Sequence, residues 1–176
     1  EADDMYLDYA GPFNFYTSAR CHDLHLMMYT CMLLGQFKPA LAAAEKMCAT
    51  LTEDVLSVAG KPQLAMTMEG YYSMKMHVLV RFGRWHEIVD EPMPDNPDLY
   101  CVSTAMHHYA KGIAYATLKN FTAAEREREA FGVALARIPE ERLFFNNSAQ
   151  SILGVGEMML NGEVEYHKGN HDVGFA

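Results

Sequence analysis

Apolar positions recur at intervals of three and four residues along most of the chain, the spacing that one face of an α-helix imposes. In HDLHLMMYTCMLLGQFKPALAAAEKM, residues 22–47, Leu24, Met27, Met28, Cys31 and Leu34 form one apolar stripe, and Ala40, Ala44 and Met47 form a second. Gly35 and Gln36 separate them and predict a tight turn between two helices. The small side chain of Ala40 lets the second helix lie close to the first, while Phe37 plugs the top of the pair. Pro39 suits the first turn of that second helix, which the pattern carries to about Ala59, where Gly60-Lys61-Pro62 stops it.

The same design returns three times. From Gln63 to Phe82 a helical pattern leads to Gly83, with Trp85 in the place of Phe37; Ile88 stands where a small residue is expected, and Pro92 and Pro94 end the second helix early. Asp98 is placed to cap the next helix, which carries Gly112 and Tyr115; Lys119-Asn120 is its turn, followed by Phe121, Ala124 and the charged face Glu125–Glu129. Pro139 ends that unit, Asn146 to Ser148 supply cap residues, and a last long helix runs from about Ala149 to Lys168 before a turn at Gly169-Asn170. The expectation is an all-α, right-handed stack of helix pairs with no sheet, in which Phe37, Trp85 and Phe121 are equivalent. One domain, 1–176, is divided into units 21–60, 63–97, 98–139 and 147–176, the last incomplete, so that a longer chain or a second copy is expected to cover it. Ahead of the first unit, Met5, Tyr6 and Tyr9 predict a short helix, Gly11-Pro12 breaks it, and Phe13, Phe15 and Tyr16 are expected to cap the open end of the stack.

The progression of Gly, aromatic and alanines after each turn resembles the second half of a tetratricopeptide (TPR) unit, a helix-turn-helix of about 34 residues. The turns are spaced 48, 36 and 50 residues apart, which implies extended helices and inserted loops. The phrases HDLHLMMYTCMLLGQF, HVLVRFGRWHEIVDEP, HHYAKGIAYATL and GEVEYHKGN are similar to a group of largely uncharacterised bacterial-type TPR proteins. That group carries an H-N-x-H phrase at the start of its first repeat; here His22, Asp23 and His25 stand there, with Asp replacing Asn. The resemblance implies a fold and no settled activity.

Charge narrows the partners. Fourteen Lys and Arg against 23 Asp and Glu give a net charge of −9, which repels a nucleic-acid backbone. No stretch approaches the roughly 18 apolar residues of a membrane span, and EADDMYLDYA lacks the basic start of a signal peptide. Cys21, Cys31, Cys48 and Cys101 form no C-x-x-C pair and sit in apolar patterns, so reduced core thiols and a cytoplasmic, reducing setting are expected.

In a stack of this kind the first helices line a groove, and equal offsets back from each turn point into it. These offsets give His22, His25, Tyr29, Met32 and Leu33; then Gly70, Ser73, His77, Val80 and Arg81; then Met106, Tyr109, Ile113, Ala116 and Thr117; and finally Gly156, Met159, Glu163, Tyr166 and His167. Glycine patterns for nucleotides and nucleophile motifs are absent, so a protein or peptide segment is the expected ligand, with no cofactor and no catalytic set. Tyr16, Tyr29, Tyr71, Tyr72, Tyr109 and Tyr166 offer flat, hydrogen-bonding surfaces to such a segment. The alternative is a metal-binding protein or metal-dependent enzyme: His22 and His25 share a helix face, and His77 would complete a three-nitrogen site for Zn, Cu or Ni, with Glu69 behind it. Ordinary packing of these histidines is weighed against it. The methionines of Met66-Thr67-Met68 and Met74-Lys75-Met76 beside His77 suit Cu(I), but Met more often fills helical cores.

Overall fold

Successive helices are joined in pairs by one repeated backbone device. The computed structural model describes residues 2–176. Gly35, Gly83, Lys119 and Gly169 all adopt left-handed φ, at 70°, 63°, 62° and 91°. In each case that residue donates its N–H three residues back, and the next residue donates five residues back: Gly35 to Met32 and Gln36 to Cys31, Gly83 to Val80 and Arg84 to Leu79, Lys119 to Ala116 and Asn120 to Tyr115, Gly169 to Tyr166 and Asn170 to Glu165. This is the Schellman closure, which satisfies the last carbonyls of a helix and throws the chain back. Lysine at 119 takes the same conformation despite a steric cost of about 1–2 kcal/mol that glycine avoids.

The helices joined this way are α2 (Tyr16–Leu33) to α3 (Phe37–Thr50), α6 (Met74–Arg81) to α7 (Trp85–Asp90), α8 (Cys101–Thr117) to α9 (Phe121–Ala136), and α10 (Ala149–Lys168) to α11 (His171–Gly174). Around them lie α1 (Ala2–Ala10), α4 (Glu53–Leu56), α5 (Gln63–Met68) and a 3-10 turn over Glu69–Ser73. Across pairs, α3 packs on α6, α7 on α8 and α9 on α10, while the first helices touch in the order α2, α6, α8, α10. Phe37, Trp85 and Phe121 each stand first in their helix, two residues past the left-handed turn. Phe37 meets the Phe82 ring at 5.2 Å and lies under the Arg84 guanidinium at 4.7 Å.

The core runs between the pairs. Leu24, Met28, Cys31, Ala40, Ala44 and Met47 are buried with Met74, Val78, Met106, Ile113, Phe131, Leu153 and Leu160. Met74 is buried in it, and Met68 and Met76 in two smaller clusters, as gap-filling side chains. All four cysteines are free thiols, three of them buried; burial pushes Cys21 up to about 12 and Cys48 to about 11, which keeps both protonated. A network on one flank, in which Lys168 bonds Glu125 and Glu165 and Arg128 reaches both, ties α9 to α10.

Several expectations fail for identifiable reasons. Met27 and Leu34 are exposed, because the buried stripe of α2 follows Thr17, Cys21, Leu24, Met28 and Cys31, and α2 ends at Leu33. The second helix does not reach Ala59: α3 stops at Thr50, the chain bends at the buried Leu51, and Thr52 caps α4 by accepting the Val55 N–H at 3.4 Å. Phe13 and Phe15 stay largely exposed, lining a concavity with Val55, Leu64 and Met68, whereas Tyr16 lies tilted against Tyr6 at 4.7 Å and donates to Asp3. The first helix of unit two is broken by the 3-10 turn. The chain is also not free of strands: β1 (Leu143–Phe144) and β2 (Asn147–Ser148) pair antiparallel where cap residues alone were expected, and Ser148 precedes α10 without a side-chain cap.

The most consequential departure is at the start of α8. Asp98 does not cap it; its carboxylate is exposed and pairs with Arg137 at 2.8 Å. The cap comes instead from Glu69, which is wholly buried and accepts the N–H groups of Val102 and Ser103 at 3.1 and 2.8 Å, while the Ser103 hydroxyl donates back to the Glu69 carbonyl at 3.1 Å. A carboxylate on the first amides of a helix satisfies orphan donors and meets the positive end of the helix dipole.

Candidate functional site: an apolar cavity between α6, α8 and α10

Because the first helices adjoin one another, the groove offsets of three of them converge. His77, Val80 and Arg81 from α6, Met106 and Tyr109 from α8, and Gly156 and Met159 from α10 line one cavity of about 430 Å³. Met76, Ala110, Phe144, Ile152, Leu153 and Val155 complete the lining. The volume falls within the range of small-ligand sites, about 300–1,000 Å³, and the wall is almost entirely hydrocarbon and aromatic ring.

Besides the Tyr109 hydroxyl, two lining residues carry polar chemistry that nothing in the fold uses. His77 makes no hydrogen bond, and its Nε2 is buried without a partner; burial, with a smaller contribution from His25, pushes its pKa down to about 4. It is therefore a neutral ring at physiological pH. Arg81 is the sole permanent charge on the wall, which holds no carboxylate. Arg20, Arg84, Arg128 and Arg137 each pair with an acidic side chain, and Arg142 donates to the Ala65 carbonyl. Among the described residues Arg81 and Arg126 have no such partner, and of the two Arg81 lines the cavity.

The other expected groove residues are separated from this cavity. His22 is exposed and turned to its neighbour Asp23 at 3.2 Å. His25 lies among rings, 4.9 Å from Phe145, 5.5 Å from Tyr71 and 5.6 Å from Tyr29. Phe145 stacks on Phe144 at 4.8 Å, and Phe144 is 6.4 Å from His77, so the hairpin's two phenylalanines link His25 to His77 through packed rings. Among the described residues no three His, Cys, Asp or Glu side chains are grouped to hold a metal ion. Glu69 is a helix cap. At the other end, His167 contacts Thr117 Oγ1 at 3.3 Å and Glu163 at 3.6 Å, while Tyr166 stacks on His171 at 4.9 Å. Glu163 and Tyr166 line a second, more open concavity with Phe175, joined to the first through Met159.

The hairpin is the part of the site that periodicity missed. Its signal was the adjacent pair Phe144-Phe145 in a loop, where apolar rings need a reason. Phe145 holds φ at 55°, a conformation uncommon for a bulky side chain and suited to glycine at that turn position. Phe144 is seated on Gly70: a Cβ there would stand 2.4 Å from Phe144 Cδ2, with the rest of the ring behind it. Gly70→Ala is therefore expected to push Phe144 off its seat, destabilise the fold by about 1–3 kcal/mol as overpacking does, and loosen one cavity wall. Urea unfolding monitored by circular dichroism checks it; an unchanged midpoint would show that the ring is not held there.

No helix among the described residues is long and apolar enough to cross a membrane. Comparison with known proteins returns no match: no family model fits the chain, and neither a curated protein nor a solved structure is similar to it.

Proposed function

We propose that this chain is a binding module: a TPR-like superhelical stack of helix pairs whose concave face receives a protein or peptide segment, with an apolar side chain of that segment entering the cavity between α6, α8 and α10. The observation that supports this reading most is the convergence of the groove offsets of three successive first helices on one open apolar cavity. Val155 and Met159 of its lining are themselves exposed, and Tyr29 and Leu33 on α2 and Tyr166 on α10 add exposed apolar surface outside it. A cavity of this kind supplies affinity through the area it buries, and the flanking rings supply orientation.

The test is selection of peptides from a displayed random library on the wild-type chain, followed by affinity measurement on a Tyr29→Ala, Tyr109→Ala variant. Enriched peptides are expected to share an apolar or aromatic position and to bind the variant at least about tenfold more weakly, the usual cost of removing central aromatic anchors. No enrichment, or equal affinity for both proteins, contradicts the reading.

A further inference from the structure

We propose that the cavity between α6, α8 and α10 is also a site for a small amphipathic monoanion, an apolar chain ending in a carboxylate, with its chain between Met106, Tyr109, Leu153 and Met159 and its head group on Arg81. This goes beyond the segment reading and does not depend on it.

The volume, about 430 Å³, is that of a small-molecule site. The wall offers such a chain Met and aliphatic contacts over almost all of its length, and Met adapts to flexible hydrocarbon. The head-group chemistry follows from charge. On a chain of net charge −9 the cavity wall carries a single formal charge, and it is positive. No acidic side chain lines the wall, so a cationic ligand finds no counter-ion there. Arg81 is exposed and has no ion-pair or hydrogen-bond partner among the described residues, so its guanidinium can take a carboxylate in a two-point fork without breaking an existing bond. His77, on the same helix one turn earlier, adds no competing charge, because its buried ring is neutral. A long-chain alcohol would gain the same apolar burial and forgo the charged contact. An ammonium of the same length would meet Arg81 as a like charge.

The experiment is calorimetric titration of the wild-type chain, at concentrations below micelle formation, with decanoate, decanol and decyltrimethylammonium. Decanoate is expected to bind saturably at one per chain. Decanol should bind about tenfold more weakly, since a hydrogen bond to a charged group is worth at least that ratio, and the ammonium should not bind. Arg81→Ala, at an exposed position without partners, keeps the fold by circular dichroism and brings decanoate to the affinity of decanol; Arg81→Lys restores part of the difference. Met159→Trp, also at an exposed position, narrows the mouth and weakens both. The proposal is overturned if decanoate does not bind saturably, if decanoate and decanol bind wild type alike, or if folded Arg81→Ala keeps the wild-type preference. Because the peptide selection uses no fatty carboxylate, failure of either reading leaves the other standing.

Discussion

Replacing Glu69 by alanine should be among the most damaging single changes in this chain, costing about 3–5 kcal/mol. The carboxylate is wholly buried and holds the Val102 and Ser103 amides at the start of α8. Its loss leaves two buried donors without acceptors beside a void, and α8 is the helix on which α7, α9 and α10 all rest. Glu69→Gln keeps one carbonyl acceptor and is expected to cost less than half as much. Burial raises the carboxyl pKa against the lowering effect of the Ser103 bonds. With a raised folded pKa the associated stability is full below the ordinary carboxylate value and is lost as pH rises through the folded one. Glu69→Gln should remove that slope. Urea unfolding of both variants between pH 4 and 8 measures the two effects together; equal, small losses for Ala and Gln would show that the cap is not what holds α8.

Acid should destabilise the fold before any ordinary carboxylate titrates, and His77 is the main reason. Its pKa falls from 6.5 to about 4, so the unfolded chain takes up a proton that the folded chain refuses. Stability is full above pH 6.5 and is lost as pH falls toward 4, by about 3 kcal/mol from this residue, at 1.36 kcal/mol per unit. His25 and His107 are lowered in the same direction, each chiefly by burial; for His107 the bond from Nδ1 to the Ser103 carbonyl at 2.7 Å opposes it. Glu69, raised by burial, acts with the opposite sign. Asp4, held well below the usual range by Arg20 and Lys46, loses its contribution only under stronger acid. His77→Met replaces an unpartnered polar ring by an apolar side chain. It should stabilise the protein at pH 7 by about 1–3 kcal/mol and flatten the profile between pH 6.5 and 4. A His77→Met profile parallel to wild type would place the acid sensitivity elsewhere.

The parts legible in the sequence were those fixed by local chemistry. Left-handed turns favour glycine, so Gly35, Gly83 and Gly169 declared themselves; Lys119 was found only because the units align, since no propensity places lysine there. Helix α10 was bounded correctly because Gly169 ends an unbroken periodic run. The failures share a cause, which is that the deciding partner is distant in the chain. The 3-10 turn of Glu69–Ser73 depends on Val102, Ser103 and Phe144, and no window around residue 69 contains them. There the glutamate read as a polar neighbour of His77. The end of α3 at Thr50 is similar: the apolar spacing continues through Val55 and Val58, but Leu51 turns into a separate buried cluster with Met68 and Tyr100, whose hydroxyl donates to the Leu51 carbonyl at 2.8 Å. For the site, offsets located His77, Arg81, Tyr109 and Met159. They could not reveal that two phenylalanines of a hairpin pack against His25 and His77.

The claim at the centre of this account is that ligands enter the groove at the cavity between α6, α8 and α10. The methionines make it directly testable. With methyl-labelled methionine, titration of the wild-type chain with a library-selected peptide should shift the methyl resonances of Met76, Met106 and Met159, which line the cavity, and leave those of Met28 and Met47, buried between α2 and α3, in place. Shifts at Met28 and Met47, or at the exposed Met5 and Met27, without change at the three cavity methionines would contradict it.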